Sequence, residues 1–292
     1  MRLSHRVTSW SLLSVIAMLS VVLGGAQAVG AASFTTIDVP GALTTQAFGI
    51  NNSGDVVGGY STTFNNSHGF LLSGGVITTI DGPGSSFTRA EDIDKSGNIV
   101  GSYRDAITQN DHGFLLLANS TFTTIDDPDG AQGSRINAIN NAGTMVGDFT
   151  DAAGSAHGFV LSGGTFTTID FPGAPSTFLF GINNSGEMVG SWEDASHLFH
   201  GFSLKNGTFT SIDVPGAIST SPSGINTKGE IVGTYATSLT SGHGFSLKKN
   251  TITTIDVPTA QSTVLSGVNN SGNAVGSFFD GVTIHGFLTN VK

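Results

Sequence analysis

The chain has 292 residues, of which 41 are Gly and none is Cys, and only 11% are charged. A hydrophobic content of 38% with so little charge excludes a disordered chain, and the lack of Cys excludes disulfides, thiolate nucleophiles and Cys-ligated zinc. The net charge of −10 leaves no basic face for nucleic acid or for an anionic membrane. The high Gly content together with the low charge indicates an all-β chain with many turns.

The first predicted element is an export signal. Arg2 and Arg6 precede an apolar run over 12–23, and small residues around a cleavage position follow it. A transmembrane anchor is the alternative, but the run is shorter than the ~20 residues that span a bilayer. We predict a signal peptide cleaved after Ala28, with Ala32 as the other cleavage position. The mature chain is then secreted or periplasmic, has no membrane anchor and carries a net charge of −12.

Six repeats of 43 to 45 residues occupy the rest of the chain. Their landmarks are a T/S-I-D string, an Asn-rich turn that ends in Gly, a V-G pair and an H-G-F string. The aspartates of the first string are Asp38, Asp81, Asp126, Asp170, Asp213 and Asp256. The histidines of the last string are His68, His112, His157, His200, His243 and His285. Landmarks in a fixed order at a fixed period indicate a repeat architecture.

Each period predicts four short antiparallel strands, which we name A to D. In the first repeat they cover 48–51, 56–60, 68–72 and 76–81. The N-N-S-G turn between strands A and B is typical of a hairpin, because Asn and Gly accept positive φ. Four strands in about 43 residues are the size of a β-propeller blade.

The phase of the repeats predicts how the ring closes. Residues 34–38 form a strand D without its A, B and C, and residues 264–288 supply A, B and C without a D. We therefore predict an all-β, six-bladed β-propeller over 34–292, preceded by a short segment over 29–33. The N-terminal strand 34–38 pairs with the C-terminal repeat. A β-solenoid is the alternative, but it does not explain the split repeat.

These motifs carry a family resemblance. The pattern G-I-N-x-x-G-x-x-V-G-x-Y…H-G-F-L resembles the bacterial extracellular repeat family named after its H-A-F tripeptide, and the blades are similar to those of NHL-type propellers. This chain has Gly where that family often has Ala after His. The resemblance covers nearly the whole mature chain and implies an exported bacterial propeller. It implies no activity.

The repeated His and Asp residues are predicted to be structural. Strand C lies about 10 Å outside strand A, so equivalent histidines on a six-fold ring are roughly 15 Å apart and cannot share a metal ion. We expect each imidazole to bond a loop or a neighbouring strand, and each T/S-I-D aspartate to accept backbone N–H bonds in its loop. Calcium at the N-N-S-G turns is the alternative, but each turn offers only one or two carboxylates. We therefore predict no metal and no cofactor.

Residues that break the symmetry are the candidate ligand site. Two columns beside strand A are expected at the mouth of the central channel, and they contain Gln46, Arg89, Glu91, Arg135, Asn137 and Phe178. The loops between strands B and C, which share that face, add Tyr103, Arg104, Asp105, Trp192, Asp194 and His197. Aromatic rings beside carboxylates and Arg suit sugar or peptide binding. Ordinary solvated loop residues are the alternative.

Two functions are compatible with this pattern. The first is a monomeric binding or scaffolding module for an extracellular protein, peptide or glycan. The second is a propeller enzyme, such as a hydrolase, lactonase or lyase, at the channel mouth. Only Glu91 and Asp94 lie in columns suitable for binding a catalytic metal, and two carboxylates make a poor site. The sequence therefore favours binding over catalysis.

Overall fold

The computed structural model describes residues 33–291, and every regular element in that range is a β-strand. The strands form six antiparallel sheets of four strands each. No helix in the described range is long and apolar enough to cross a membrane. The predicted signal peptide lies outside the described residues.

Five blades follow the chain in order, and the sixth combines both ends. Blade 1 is β2 (Thr44–Ile50), β3 (Val56–Ser61), β4 (His68–Ser73) and β5 (Val76–Ile80). Blade 2 is β6 (Ser85–Ile93), β7 (Ile99–Asp105), β8 (Asp111–Leu116) and β9 (Phe122–Ile125). Blade 3 is β10 (Ser134–Ile139), β11 (Met145–Thr150), β12 (Ala156–Ser162) and β13 (Thr165–Ile169). Blade 4 is β14 (Ser176–Ile182), β15 (Met188–Glu193), β16 (Phe199–Lys205) and β17 (Thr208–Ile212). Blade 5 is β18 (Ser219–Ile225), β19 (Ile231–Ser238), β20 (Ser241–Lys248) and β21 (Thr251–Thr254). Blade 6 is β22 (Ser262–Val268), β23 (Asn273–Phe279), β24 (Ile284–Asn290) and β1 (Thr35–Ile37).

The predicted six-bladed propeller and its closure are confirmed. The A strands contact one another in cyclic order around the axis, from β2 through β6, β10, β14 and β18 to β22 and back to β2. Strand β1 pairs antiparallel with β24, with Thr36 opposite Phe287. The loops between strands D and A and between B and C share one end of the disc, the loop face. The tight A–B and C–D turns form the other end, the turn face.

The blades pack through the H-G-F and V-G landmarks. The six H-G-F phenylalanines are completely buried, and they are Phe70, Phe114, Phe159, Phe202, Phe245 and Phe287. Each buried Phe stabilises the fold by about 1.5–3 kcal/mol. The V-G glycine is needed because a Cβ on Gly58 would lie 2.0 Å from the Gln46 carbonyl oxygen and 2.6 Å from the Phe70 ring.

Strand A begins about four residues earlier than predicted. The early part contains a buried hydroxyl in every blade, and these residues are Thr45, Thr88, Ser134, Thr177, Thr220 and Thr263. Each hydroxyl accepts the N–H at the start of the preceding D–A loop; for example, Val39 N donates to Thr45 Oγ1 at 3.0 Å. The strand was missed because Thr and Ser there resemble a turn sequence. The candidate column of Gln46 and Arg89 therefore lies within the A strands rather than just before them, and the column of Glu91 and Asn137 lies two positions farther along the same strands.

Asn side chains link the blades at the turn face. In five blades the first Asn of the A–B turn accepts N–H groups of its own turn and donates its Nδ2 to the next blade's backbone. Asn183 Nδ2, for example, lies 3.1 Å from Asn226 O, and Asn269 Nδ2 lies 3.0 Å from Asn51 O. Blade 2 has Asp94 at this position, and a carboxylate has no N–H to donate to the next blade. The ring of amide bonds is therefore interrupted between blades 2 and 3.

Candidate functional site

The repeated His and Asp residues form one pair in each blade. His68 Nδ1 lies 2.8 Å from Asp81 Oδ1, and His243 Nδ1 lies 2.8 Å from Asp256 Oδ2. The other pairs are His112 with Asp126, His157 with Asp170, His200 with Asp213, and His285 with Asp38. The carboxylates thus accept an imidazole N–H, whereas we predicted loop amides as their donors. Asp256 also accepts Gly244 N, which lies in a strand rather than in the loop.

An aromatic ring covers each histidine from the neighbouring strand B. Tyr103 and His112 have ring centroids 5.2 Å apart, and Trp192 and His200 have centroids 4.6 Å apart. Tyr60, Phe149, Tyr235 and Phe278 make the same contact in the other blades. The prediction that Tyr103 and Trp192 lie on loops is wrong, because both lie in strands directly opposite their histidines. Arg104 and Asp105, also predicted on that loop, are the last two residues of β7. Their rings therefore contribute to packing.

The carboxylates beside the histidines raise several imidazole pKa values. The hydrogen bond to Asp256 raises the pKa of His243. Burial opposes protonation of His157, but Asp170 and Asp151 outweigh it and raise the pKa. In the same way Asp38 and Asp280 outweigh burial and raise the pKa of His285. These three histidines therefore keep their proton to a higher pH in the fold than a free imidazole does.

Three predicted loop residues stabilise their own loops. Asp105 Oδ1 accepts Ile107 N and Thr108 N, and Asp194 Oδ1 accepts Ser196 N and Leu198 N. These backbone N–H bonds lower the pKa of both carboxyls. His197 is 84% exposed and bonds Glu193. Asp105 directly follows Arg104 in the chain, whereas Asp194 and His197 lie in blade 4.

The three arginines of residues 33–291 gather where blades 1, 2 and 3 meet at the loop face. Arg104 Nε lies 3.0 Å from Asp111 Oδ1. Arg135 reaches the other oxygen of Asp111 at 3.6 Å and Asp148 Oδ2 at 3.8 Å. The Arg89 guanidinium bonds Glu91 at 2.7 Å and lies 4.1 Å from the centroid of the Phe48 ring. We call Arg89, Glu91, Arg104, Asp111, Arg135, Asn137 and Asp148 the arginine cluster.

Asp148 lies at the centre of the arginine cluster. It is directly opposite Arg135 in the strand pair β10–β11, and Asn137 Nδ2 donates to it at 2.8 Å. Burial raises its pKa although Arg135 and Asn137 oppose the shift, and the nearby charges of Asp111 and Glu91 raise it further. Glu91, the partner of Arg89, is therefore close enough to Asp148 to affect its charge. One asymmetric polar site therefore spans blades 2 and 3.

The structure brings together only part of the predicted ligand set. Arg89, Glu91, Arg104, Arg135 and Asn137 belong to the cluster. Gln46 is half-buried in strand A of blade 1, and Phe178 packs on Phe180 and Phe199 in blade 4. Sequence reasoning missed Asp111 and Asp148, which lie inside strands. The sequence does distinguish Asp148, because the corresponding position in the other blades has a small uncharged residue. These residues are Gly59, Ser102, Ser191, Thr234 and Ser277.

The channel narrows to a cavity of about 80 Å³ near the turn face, ringed by the A–B turns. Asp92 lines it in a column that contains Gly or Ala in every other blade. Its carboxylate accepts Ile93 N at 2.8 Å and Ile139 N at 3.0 Å. Burial raises the pKa of Asp92 to about 7, against the effect of those two N–H bonds. Among residues 33–291, no three His, Asp or Glu side chains are grouped to hold a metal ion.

Comparisons with known proteins support the fold only. No protein family matches the chain, and no curated protein matches it in sequence. The fold is similar to that of a putative TolB from Agrobacterium tumefaciens, with a TM-score of 0.55, 9% identity and coverage of 81% of this chain and 78% of the other. TolB from Acinetobacter baumannii gives a TM-score of 0.54 at 13% identity, with 87% and 66% covered. A mutant Aleuria aurantia lectin in complex with Fucα1-6GlcNAc gives a TM-score of 0.53 at 14% identity, with coverage of 84% of this chain and 91% of the lectin. Membership of the H-A-F repeat family stays a prediction.

Proposed function

We propose that the protein is a binding and scaffolding module, exported from the cytoplasm, that presents its loop face to an extracellular protein, peptide or glycan. The arginine cluster is the observation that carries this proposal. The column of Arg89 and Arg135 contains Gln46, Phe178, Ser221 and Val264 in the other blades. The blade therefore folds without these charges, and their presence points to a role other than folding.

The energetics of the arginine cluster support the same conclusion. Ion pairs that are mostly buried stabilise a fold little, because desolvation offsets their attraction. The three arginine side chains still keep about a quarter of their surface exposed, between 24% and 27%. A planar guanidinium next to carboxylates and an amide offers paired donors and acceptors to a polar ligand. Such an arrangement suits the hydroxyl groups of a sugar or the backbone of a peptide.

The lectin among the structural neighbours supports including glycans in the search. That protein binds Fucα1-6GlcNAc on a propeller of similar fold. Because the two chains are only 14% identical, the likeness establishes a similar fold and no shared ligand. The ligand class must therefore come from a binding experiment on this chain.

The test uses the chain from residue 29 onward, immobilised and exposed to a glycan array and to a secreted-protein extract. We expect a specific ligand whose affinity falls at least tenfold, about 1.4 kcal/mol, in Arg135→Lys, because Lys cannot reproduce bidentate bonding. The matched control is Lys205→Gln, which removes one cation that pairs with Glu187 at the turn face. A wild-type protein that retains nothing, or a ligand that ignores Arg135→Lys, contradicts the proposal.

An enzyme at the channel is the alternative function, and Asp92 is the observation that favours it. A carboxyl group with a pKa near 7 is suited to general acid–base catalysis. It lies on the same strand as Arg89 and Glu91. Turnover of a lactone or glycoside that Asp92→Asn abolishes, or a stoichiometric divalent ion in the purified protein, would support an enzyme over a binding module.

A further inference from the structure

The exposed large apolar side chains of the described residues are concentrated at one end of the disc. They are Leu43, Phe64, Val76, Ile107, Ile218, Leu239 and Val282. All except Val76 lie in loops of the loop face. The four most exposed are Phe64 at 94%, Ile107 at 91%, Val282 at 88% and Leu239 at 81%. We call these four residues the apolar tips.

Each apolar tip lies in the B–C loop of a different blade, and the four blades are consecutive around the ring. Leu239 belongs to blade 5, Val282 to blade 6, Phe64 to blade 1 and Ile107 to blade 2. The corresponding loops of blades 3 and 4, over 151–155 and 194–198, have only small or polar residues at their exposed positions, which are Ala152, Ala153, Gly154, Ala195, Ser196 and His197. The loop face therefore has an apolar arc of four blades and a polar arc of two.

Side-chain bonds to the backbone hold the apolar tips outward. Asp105 Oδ1 accepts the N–H of Ile107 at 2.8 Å, and Asp280 Oδ1 accepts the N–H of Val282 at 2.7 Å. In the other two loops the bonded N–H belongs to the residue before the tip. Asn66 Oδ1 accepts Thr63 N at 3.1 Å, and Ser241 Oγ accepts Ser238 N at 3.0 Å. The loops thus have defined turns that place one large apolar side chain at each apex.

We propose that the protein docks on the surface of a zwitterionic phospholipid bilayer by inserting the apolar tips. The B–C loops end at the same face of a ring, so a flat partner can meet all four at once. Each apolar tip is flanked in its own loop by polar or small residues, such as Asn65 beside Phe64 and Thr108 beside Ile107, so each loop offers a single large apolar side chain. Each tip needs only its own apolar surroundings, which the acyl boundary of a bilayer provides at every point.

The charges of the apolar arc specify the lipid. The four loops contain no Lys or Arg, and two of them carry Asp105 and Asp280. The chain after residue 28 has a net charge of −12, so an anionic headgroup layer repels it. Charge complementarity therefore favours a bilayer without net charge. This inference does not depend on the proposed function.

The test is co-sedimentation of the chain from residue 29 onward with vesicles of phosphatidylcholine. We expect the protein to pellet with these vesicles and to pellet less when phosphatidylglycerol is added. Phe64→Ser and Leu239→Ser should each lower the partition coefficient roughly tenfold, and the double variant roughly a hundredfold, because each removes one inserted side chain. The matched control is Val76→Ser, which changes an apolar side chain, 66% exposed, outside the loop face and should leave partitioning unchanged.

Three outcomes would overturn the proposal. The first is wild-type protein that stays in solution with every vesicle, and the second is equal loss of binding in Val76→Ser and Phe64→Ser. The third is self-association in sedimentation velocity that Phe64→Ser abolishes while vesicles are ignored, since the apolar arc would then be a contact between copies. All variants alter exposed residues, and unchanged thermal unfolding verifies that each is folded.

Discussion

His285 and Asp38 are separated by 247 residues, yet His285 Nδ1 lies 3.0 Å from Asp38 Oδ2. The same pair joins residues only 13 or 14 positions apart in the other five blades. The His–Asp hydrogen bond that joins strands C and D within each of the other five blades therefore joins the two ends of the chain in blade 6. Phe34, whose ring centroid lies 5.5 Å from that of Phe287, adds an apolar contact at the same junction.

Removal of the closing strand should weaken the whole ring. A chain that begins at residue 39 lacks β1, loses the Asp38 carboxylate and leaves β24 as an open edge. We expect a loss of about 3–5 kcal/mol in urea unfolding relative to a chain that begins at residue 29, in part because buried Ile37 is removed. Light scattering should detect association through the open edge. Equal stability of the two chains would contradict this account of closure.

A methyl group on the V-G glycine should prevent close packing within a blade. In Gly190→Ala the new Cβ would lie 2.0 Å from Phe178 O and 3.0 Å from the Phe202 ring. We expect a loss of about 3 kcal/mol or more by chemical denaturation. Gly186→Ala is the matched control, because a Cβ added there meets no atom within 4 Å and the only cost is the positive φ of +77°. It should cost about 1 kcal/mol. Similar losses for both variants would show that the close approach is not decisive.

Completing the amide ring should stabilise the protein. Asp94→Asn supplies the Nδ2 donor that blade 2 lacks, and the backbone N–H groups of Ser96 and Asn98 still donate to the remaining Oδ1. The Asn98 amide, whose Nδ2 donates to Asp94 Oδ2, must turn its oxygen toward the new Nδ2. We expect a gain of about 1 kcal/mol in the free energy of unfolding. The reverse change, Asn183→Asp, removes the bond to Asn226 O and should cost a similar amount. A loss of stability in Asp94→Asn would mean that the carboxylate itself is needed in blade 2.

Stability should fall between mildly acidic and alkaline pH. The pKa values of His157, His243 and His285 are raised in the fold, so their contribution is complete below the unfolded value of ~6.5 and is lost as pH rises through the folded values. The pKa values of Asp92 and Asp148 are also raised in the fold, so each carboxyl lowers the stability as pH rises above ~4, the pKa of an unfolded Asp. We therefore expect a higher Tm at pH 5.5 than at pH 8 by circular dichroism. His243→Gln should reduce that difference, and an unchanged pH profile in the variant would contradict the assignment.

The repeat landmarks predicted the fold because each landmark has a direct structural cause. V-G and H-G-F mark close packing, and N-N-S-G marks a turn that also bonds the next blade. The start of strand A was not predicted, since Thr45 and Thr88 become recognisable only when a loop N–H from six residues earlier donates to them. The site was predicted in part. Arg89, Glu91 and Arg135 stood out as symmetry breakers, whereas Asp148 needed the strand register that places it opposite Arg135.

The H-G-F histidine, its aspartate and its aromatic ring recur in the outer part of every blade, while the strand A columns of Arg89 and Glu91 differ from blade to blade. A duplication of one 43-residue period, started anywhere in the gene, would therefore insert a complete blade with its packing intact. Substitutions near the axis can then accumulate without disturbing that packing. Such a lineage could change its ligand chemistry in two blades while the other four preserve the fold, and the confinement of the three arginines of residues 33–291 to blades 2 and 3 is the pattern that this history would leave.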